Sequence, residues 1–330
     1  MDIISQLKIR AKEVRGSIVL PEAFDRRTLE AAQIIAAEGL ASVMVVGKPE
    51  SVKVDAAAWG VDLQGIQILD PDAYSETDKF ASFFYEKRKD KGVTPEIAAA
   101  TVRQNLYFGA LLVKFGIASG MVAGAANTTA DVLRAALQVV GVTPGLKTVS
   151  STFIMVIPDF LGEERVMLFA DCAVVPNPDA AQLADIAMST AATRRSILGD
   201  EPSVAMLSFS TKGSAEHELV QKVRDAMAIM QERGADFAYD GELQFDAAVV
   251  PKVAASKAPG SGVAGKANTL IFPDLQSGNI GYKIAQRIGK AEAIGPIIQG
   301  LAAPVCDLSR GCSTLDIVNT AVLVLLMSKK

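Results

Sequence analysis

The stretch DLSRGCSTLDIV sets a hydroxyl, a guanidinium, a thiol and a carboxylate close together, as Ser309, Arg310, Cys312 and Asp316. The planar fork of donors on Arg310 suits phosphate and carboxylate oxygens, and Gly311 beside it lets a ligand approach the backbone closely. Cys312, next to an arginine at the start of a helix, is a candidate covalent nucleophile. The sequence holds a single histidine, His217, inside the amphipathic pattern SAEHELVQKVRDAMAIMQERG, where it reads as solvated surface. Ser-His-Asp and Cys-His pairings therefore have no obvious base. Ser313 to Asp316 also spells S-x-x-D, a capping box that needs no function, so Asp316 has a purely structural reading too.

Other segments carry groups suited to anions. In GAANTTADVLRAALQ, Thr128 and Asp131 form a second capping pattern where a strand runs into a helix, with Arg134 one turn on. Helix N-termini in that position attract anions. EKRKDKG gathers Lys87, Arg88, Lys89 and Lys91 at a helix end, ordinarily a solvated face that complements the helix dipole. In PGSGVAGKANTLIFPD, Gly260, Gly265 and Lys266 spell most of a P-loop, but Ala267 replaces the hydroxyl residue that ligates Mg²⁺. The apolar run behind it reads as a strand rather than the helix a P-loop opens. A loop between helix and strand, or a loop lining a cleft for some other phosphate, fits better. These segments point to a small polyanionic substrate, and nothing in them has metal-ligand spacing.

The elements that must hold these groups are those of a layered α/β protein. With 330 residues, half of them hydrophobic, the chain has material for roughly two domains. A net charge of −4 without a long basic run argues against nucleic acid. Three cysteines, Cys172, Cys306 and Cys312, are odd in number and suit a reducing cytoplasm. The opening MDIISQLKIRAKEVRG is charged throughout and is not a secretory signal, and TAVLVLLM is far shorter than the ~18–20 residues that a bilayer demands. No membrane association is expected.

Strands such as SIVLPE, ASVMVVG, IQILDP and SGMVAGA alternate with helical stretches, which predicts parallel βαβ units. YSETDKFASFFYEKRKDKG and TPEIAAATVRQNLYFGALLVKFG each read as one long helix. The chain changes character at VTPGLKTVS. TFIMVI and VMLFADCAVV then follow closely enough for a hairpin, which predicts a mixed second sheet. One final strand-like segment is expected near PIIQGLAAPVCDL, ahead of a terminal helix. With two α/β domains, ligands are expected beyond the carboxyl ends of the strands and in the crevice between the domains.

DLSRGCSTLDIV, PGSGVAGKANTLIFPDLQSGNIGYK, KAEAIGPIIQG and NTTADVLRAALQ, with RKDKG and NPDAAQLADIA, resemble the phosphate acetyltransferase (phosphotransacetylase) family over essentially the whole chain. The resemblance implies two α/β domains flanking a cleft, similar to isocitrate and isopropylmalate dehydrogenases. The first would comprise 1–145 plus 296–330 and the second 146–295. It further implies reversible acetyl transfer between CoA and phosphate without a metal or other cofactor, in a homodimer. Its catalytic serine, arginine and base fall on Ser309, Arg310 and Asp316, and its CoA-binding arginines on Arg88 and Arg134. No role for Lys266 follows from it.

A free thiol has a pKa near ~8.5 and an ordinary aspartate one near ~3.9, so proton transfer from CoA to Asp316 would run uphill by about 6 kcal/mol. Burial of Asp316, or partial proton transfer as the carbon–sulfur bond forms, is needed to offset this. Butyryl or another acyl group in place of acetyl, a non-catalytic CoA-sensing module and a nicotinamide-dependent dehydrogenase are the competing readings. The last lacks a dinucleotide fingerprint.

Overall fold

Short runs rich in valine and isoleucine, too brief for helices and punctuated by capped amphipathic segments, build the first sheet. The computed structural model describes residues 2–329. In chain order the first elements are α1 (Ile3–Val14), β1 (Ser17–Leu20), α2 (Arg26–Ala37), β2 (Ser42–Val46), α3 (Pro49–Trp59) and β3 (Ile66–Leu69). There follow α4 (Thr77–Arg88), α5 (Pro95–Thr101), α6 (Asn105–Lys114), β4 (Gly120–Ala123) and α7 (Thr129–Val139). The second set runs β5 (Ser150–Phe160), β6 (Glu163–Ala170), α8 (Ala180–Ile197), β7 (Ser203–Leu207), α9 (Glu218–Glu232) and β8 (Ala238–Leu243). It continues with α10 (Phe245–Val249), α11 (Pro251–Lys257), β9 (Thr269–Ile271), α12 (Leu275–Arg287) and β10 (Glu292–Gln299). The last elements are β11 (Val305–Asp307) and α13 (Thr314–Met327).

The chain divides into two compact units, one of residues 1–141 with 301–330 and one of residues 142–300. Among the described residues, the first unit holds a five-stranded sheet in the order β11-β4-β1-β2-β3. All its pairings are parallel. Chain order reverses between β1 and β4, the switch point beyond whose strand ends open α/β sheets bind ligands. On one face Phe80, Phe108, Leu111 and Val132 from α4, α6 and α7 form the core. On the other, α13 packs against α1 and α2. Val318, Val322, Val324 and Leu325 of α13 are each at most 1% exposed, worth about 1.5–3 kcal/mol per side chain. That burial anchors the turn leading into the helix.

The second unit's sheet runs β10-β5-β6-β9-β7-β8. β5 pairs antiparallel with β6 and with β10, while β6, β9, β7 and β8 are parallel neighbours, so the expected hairpin and mixed sheet are present.

Three local expectations need correction. The helix expected through residues 94–116 is interrupted after Thr101, because Gln104 adopts an extended conformation (ψ 132°) and α6 starts afresh. The single strand expected near PIIQGLAAPVCDL is two strands in different sheets, β10 beside β5 and β11 beside β4. A boundary at residue 296 would have cut β10 in half. Third, His217 lies just outside α9 as its N-cap, its Nδ1 accepting from the Leu219 N–H at 3.2 Å.

Candidate active site

Ser309 and Arg310 lie in the β11–α13 turn and Asp316 in the first turn of α13, at the carboxyl edge of the first sheet. Ser309 and Arg310 are exposed. Among the described residues, the Arg310 guanidinium makes no hydrogen bond or ion pair, and the Ser309 hydroxyl accepts from the Gly311 N–H at 3.2 Å. Ser313 caps α13 in the capping box expected from S-x-x-D. Asp316 Oδ2 accepts from the Ser313 N–H at 2.8 Å and from its hydroxyl at 2.9 Å. Asp316 is exposed, so burial does not supply the offset that thiol deprotonation requires.

The turn and the neighbouring β4–α7 loop are held by residues that sequence reasoning passed over. At the end of β1, Glu22 is 2% exposed and fills the nest of amides between β4 and α7. Its Oε2 accepts from Gly124 and Ala125 at 2.9 Å, and its Oε1 from the backbone N–H groups of Ala126 (3.1 Å) and Asn127 (2.8 Å). The anion site expected ahead of α7 is thus occupied by the protein's own carboxylate. Arg27 donates to the carbonyls of Arg310 and Cys312 at 2.8 Å and of Ala125 at 2.7 Å.

Asp307, the last residue of β11, is 6% exposed. Thr129 Oγ1 lies 2.5 Å from its Oδ2, and its buried Oδ1 has no partner. Burial, reinforced by the nearby Glu22, pushes the Asp307 carboxyl up to about 6. Gly124 makes room for it: its φ is +106°, and a Cβ there would lie 2.4 Å from Asp307 Oδ1. Burial likewise pushes the Cys312 thiol up, against the pull of Arg27.

Arg88 and Arg134 form a second group. Arg134 lies on α7 six residues beyond Thr128, about 9 Å along the helix axis. Its guanidinium donates to Asp131 Oδ1 at 2.6 Å, and it is half-exposed. Arg88 ends α4, and its buried Nε has no partner. Both act on the Tyr107 phenol of α6: burial raises its pKa while Arg134 and Arg88 draw it down. The Tyr107 hydroxyl meets Gln138 Oε1 at 3.1 Å.

The glycine-rich loop of the second unit is no phosphate cradle. The Gly265, Lys266 and Ala267 amides already donate to the carbonyls of Ala247, Val263 and Ala248. Gly265 is required by packing, since at φ +79° a Cβ would sit 2.8 Å from Pro251 Cα. Lys266 is exposed. Among the described residues, no group of three or more His, Cys, Asp or Glu could hold a metal ion.

The family described as Phosphate acetyl/butaryl transferase matches residues 2–325. The phosphate acetyltransferase of Thermoanaerobacterium thermosaccharolyticum is 55% identical over 97% of each chain. That of Clostridium acetobutylicum is 50% identical over 100% of this chain and 99% of its own. The crystal structure of a phosphotransacetylase from Streptococcus pyogenes superposes with a TM-score of 0.92 at 45% identity, covering 99% of both chains.

Proposed function

The chain belongs to the phosphate acetyl/butaryl transferase family, and from that premise we propose that it catalyses acetyl-CoA + phosphate = CoA + acetyl phosphate by direct transfer in a ternary complex. The observation that carries the site assignment is the Arg310 guanidinium. It is exposed and unpaired among the described residues, on a turn whose backbone is held by its neighbours. An unpaired fork of donors is available to oxygens that gain charge as the reaction proceeds.

In the direction of acetyl phosphate use, the CoA sulfur attacks the acetyl carbonyl carbon. A carbon–sulfur bond forms, the carbon–oxygen bond to phosphate breaks, and phosphate leaves with the electron pair. Asp316 takes the thiol proton as the new bond forms, without a free thiolate, and passes it to the departing phosphate. Arg310 stabilises the carbonyl and phosphate oxygens, and Ser309 orients the carbonyl by hydrogen bonding. Arg88 and Arg134 bind CoA phosphates. The distance of Arg134 along α7 from the strand ends suits a long substrate whose phosphates lie away from its thiol. The proposal includes no metal and no resident cofactor.

A homodimer is also proposed. Its support is an apolar row on α12 and just past its end, Ile280, Ile284 and Ile288, exposed by 57%, 53% and 78%. No helix among the described residues is long and apolar enough to cross a membrane, and a cytoplasmic location is proposed.

Incubation with acetyl-CoA and phosphate should release thiol. Arsenate should drive continuous release, because acetyl arsenate hydrolyses spontaneously. Absence of thiol release in either case would end the reading, and a parallel run with butyryl-CoA measures acyl preference.

A further inference from the structure

Arg27 sits where a cation is unwelcome. Arg26 and Arg27 open α2, and no acidic residue occupies its first turn. Positive charge there opposes the helix dipole. Asp25 offsets this locally. It caps α2 by accepting from the Arg27 N–H at 2.9 Å, and it takes the guanidinium Nε–H at 3.0 Å and an Nη2–H at 2.7 Å.

The remaining donors reach three carbonyls on two other loops. Nη2 donates to Ala125 in the β4–α7 loop, and Nη1 to Arg310 and Cys312 in the β11–α13 turn. All five N–H groups of the fork are therefore used, and they tie together the loops that follow β1, β4 and β11. A lysine ammonium could keep the Asp25 pair, but with three donors on one atom it could not span both loops.

We infer that Arg27 is a positioning residue that fixes the backbone on both sides of Gly311 and so aims the Arg310 side chain. The inference rests on the reading of Arg310 as the charge-stabilising group. Arg27 acts only through the turn, and its own guanidinium is saturated by protein oxygens. A shift of about 1 Å in a catalytic group can cost on the order of a hundredfold in rate. The expected signature is a loss in kcat with little change in KM for acetyl-CoA.

The experiment compares Arg27→Lys, Arg27→Gln and Arg27→Ala with Arg310→Ala, with kcat expressed per folded molecule after circular dichroism and thermal unfolding. Arg27→Lys retains the charge and the Asp25 pair, so it is the variant that separates aim from folding. Its kcat should fall at least about tenfold at a KM for acetyl-CoA within about twofold of the parent. Added guanidinium should restore part of the activity of Arg27→Ala, whereas methylammonium should not. Unchanged kcat per folded molecule in Arg27→Lys beside an inactive Arg310→Ala would overturn this inference and leave the assignment of Arg310 standing. Normal turnover in Arg310→Ala would overturn both.

Discussion

Asp307 grips Thr129 with one carboxyl oxygen, Thr129 Oγ1 lying 2.5 Å from Oδ2, and holds the other buried without a partner. The contact ties the end of β11 to the first turn of α7, two residues before Ser309. Burying a half-satisfied carboxyl beside Glu22 disfavours its charged form, which is why its pKa rises to about 6. The unfolded chain loses this proton near the ordinary value, while the folded chain keeps it to higher pH. The favourable contribution is thus complete below about pH 4 and lost as pH rises through about 6, by about 3 kcal/mol in all. Asp307→Asn should be more stable than the parent at pH 8, with the difference gone by pH 4, when denaturant unfolding is measured at both. A parent–variant difference independent of pH would contradict the origin assigned to it.

Removing the Arg310 guanidinium should lower kcat by two or more decades, because donors aimed at developing charge are worth about 3–4 kcal/mol. The side chain is exposed and unpaired among the described residues, so the unfolding midpoint should barely move. Arg310→Lys should recover only a small part of the rate, since one ammonium cannot reproduce the fork.

The capping box lets helix stability be separated from chemistry. Ser313→Ala removes the hydroxyl that caps α13 and should cost about 1 kcal/mol, with kcat nearly intact. Asp316→Asn should keep much of the cap while losing proton transfer, lowering kcat by about a hundredfold or more, the modest end of what acid–base groups supply. Equal and small effects of both substitutions on kcat would leave Asp316 a cap alone.

Cys312→Ala should retain acetyl transfer. The thiol is buried and its pKa is raised, so little thiolate exists at neutral pH despite Arg27 nearby. Complete loss of exchange between CoA and phosphate in this variant would restore a covalent route.

Arg88→Gln and Arg134→Gln should each raise KM for acetyl-CoA about tenfold or more, with little effect on KM for phosphate. Their effect should shrink as salt screens the parent's advantage. Initial-rate measurements at low and high ionic strength check both statements.

Periodicity carries the alternating strands and helices of the first unit well, because each β-run there is brief. It fails where the cause is non-local. Nothing in TVRQN, which has neither glycine nor proline, marks the break at Gln104, and the division of β10 from β11 is decided by which partner strand each finds. Within the site, Ser309, Arg310 and Asp316 are visible as types at a spacing. Glu22, Arg27 and Asp307 are not, since their partners lie roughly a hundred to three hundred residues away in sequence. Two signals were available: an acidic residue directly after the first strand, at a sheet edge where ligands bind, and a basic pair opening a helix against its dipole.

During synthesis, β11 and α13 emerge only after residues 142–300 have been made. Until then one edge of β4 is open and the apolar sides of α1 and α2 lack their cover. The second sheet needs nothing from that late segment, whereas the first must wait with a sticky margin exposed. Catalytic competence is therefore tied to the closing step of assembly, and a released chain truncated before residue 305 could complete the second sheet yet would lack Arg310.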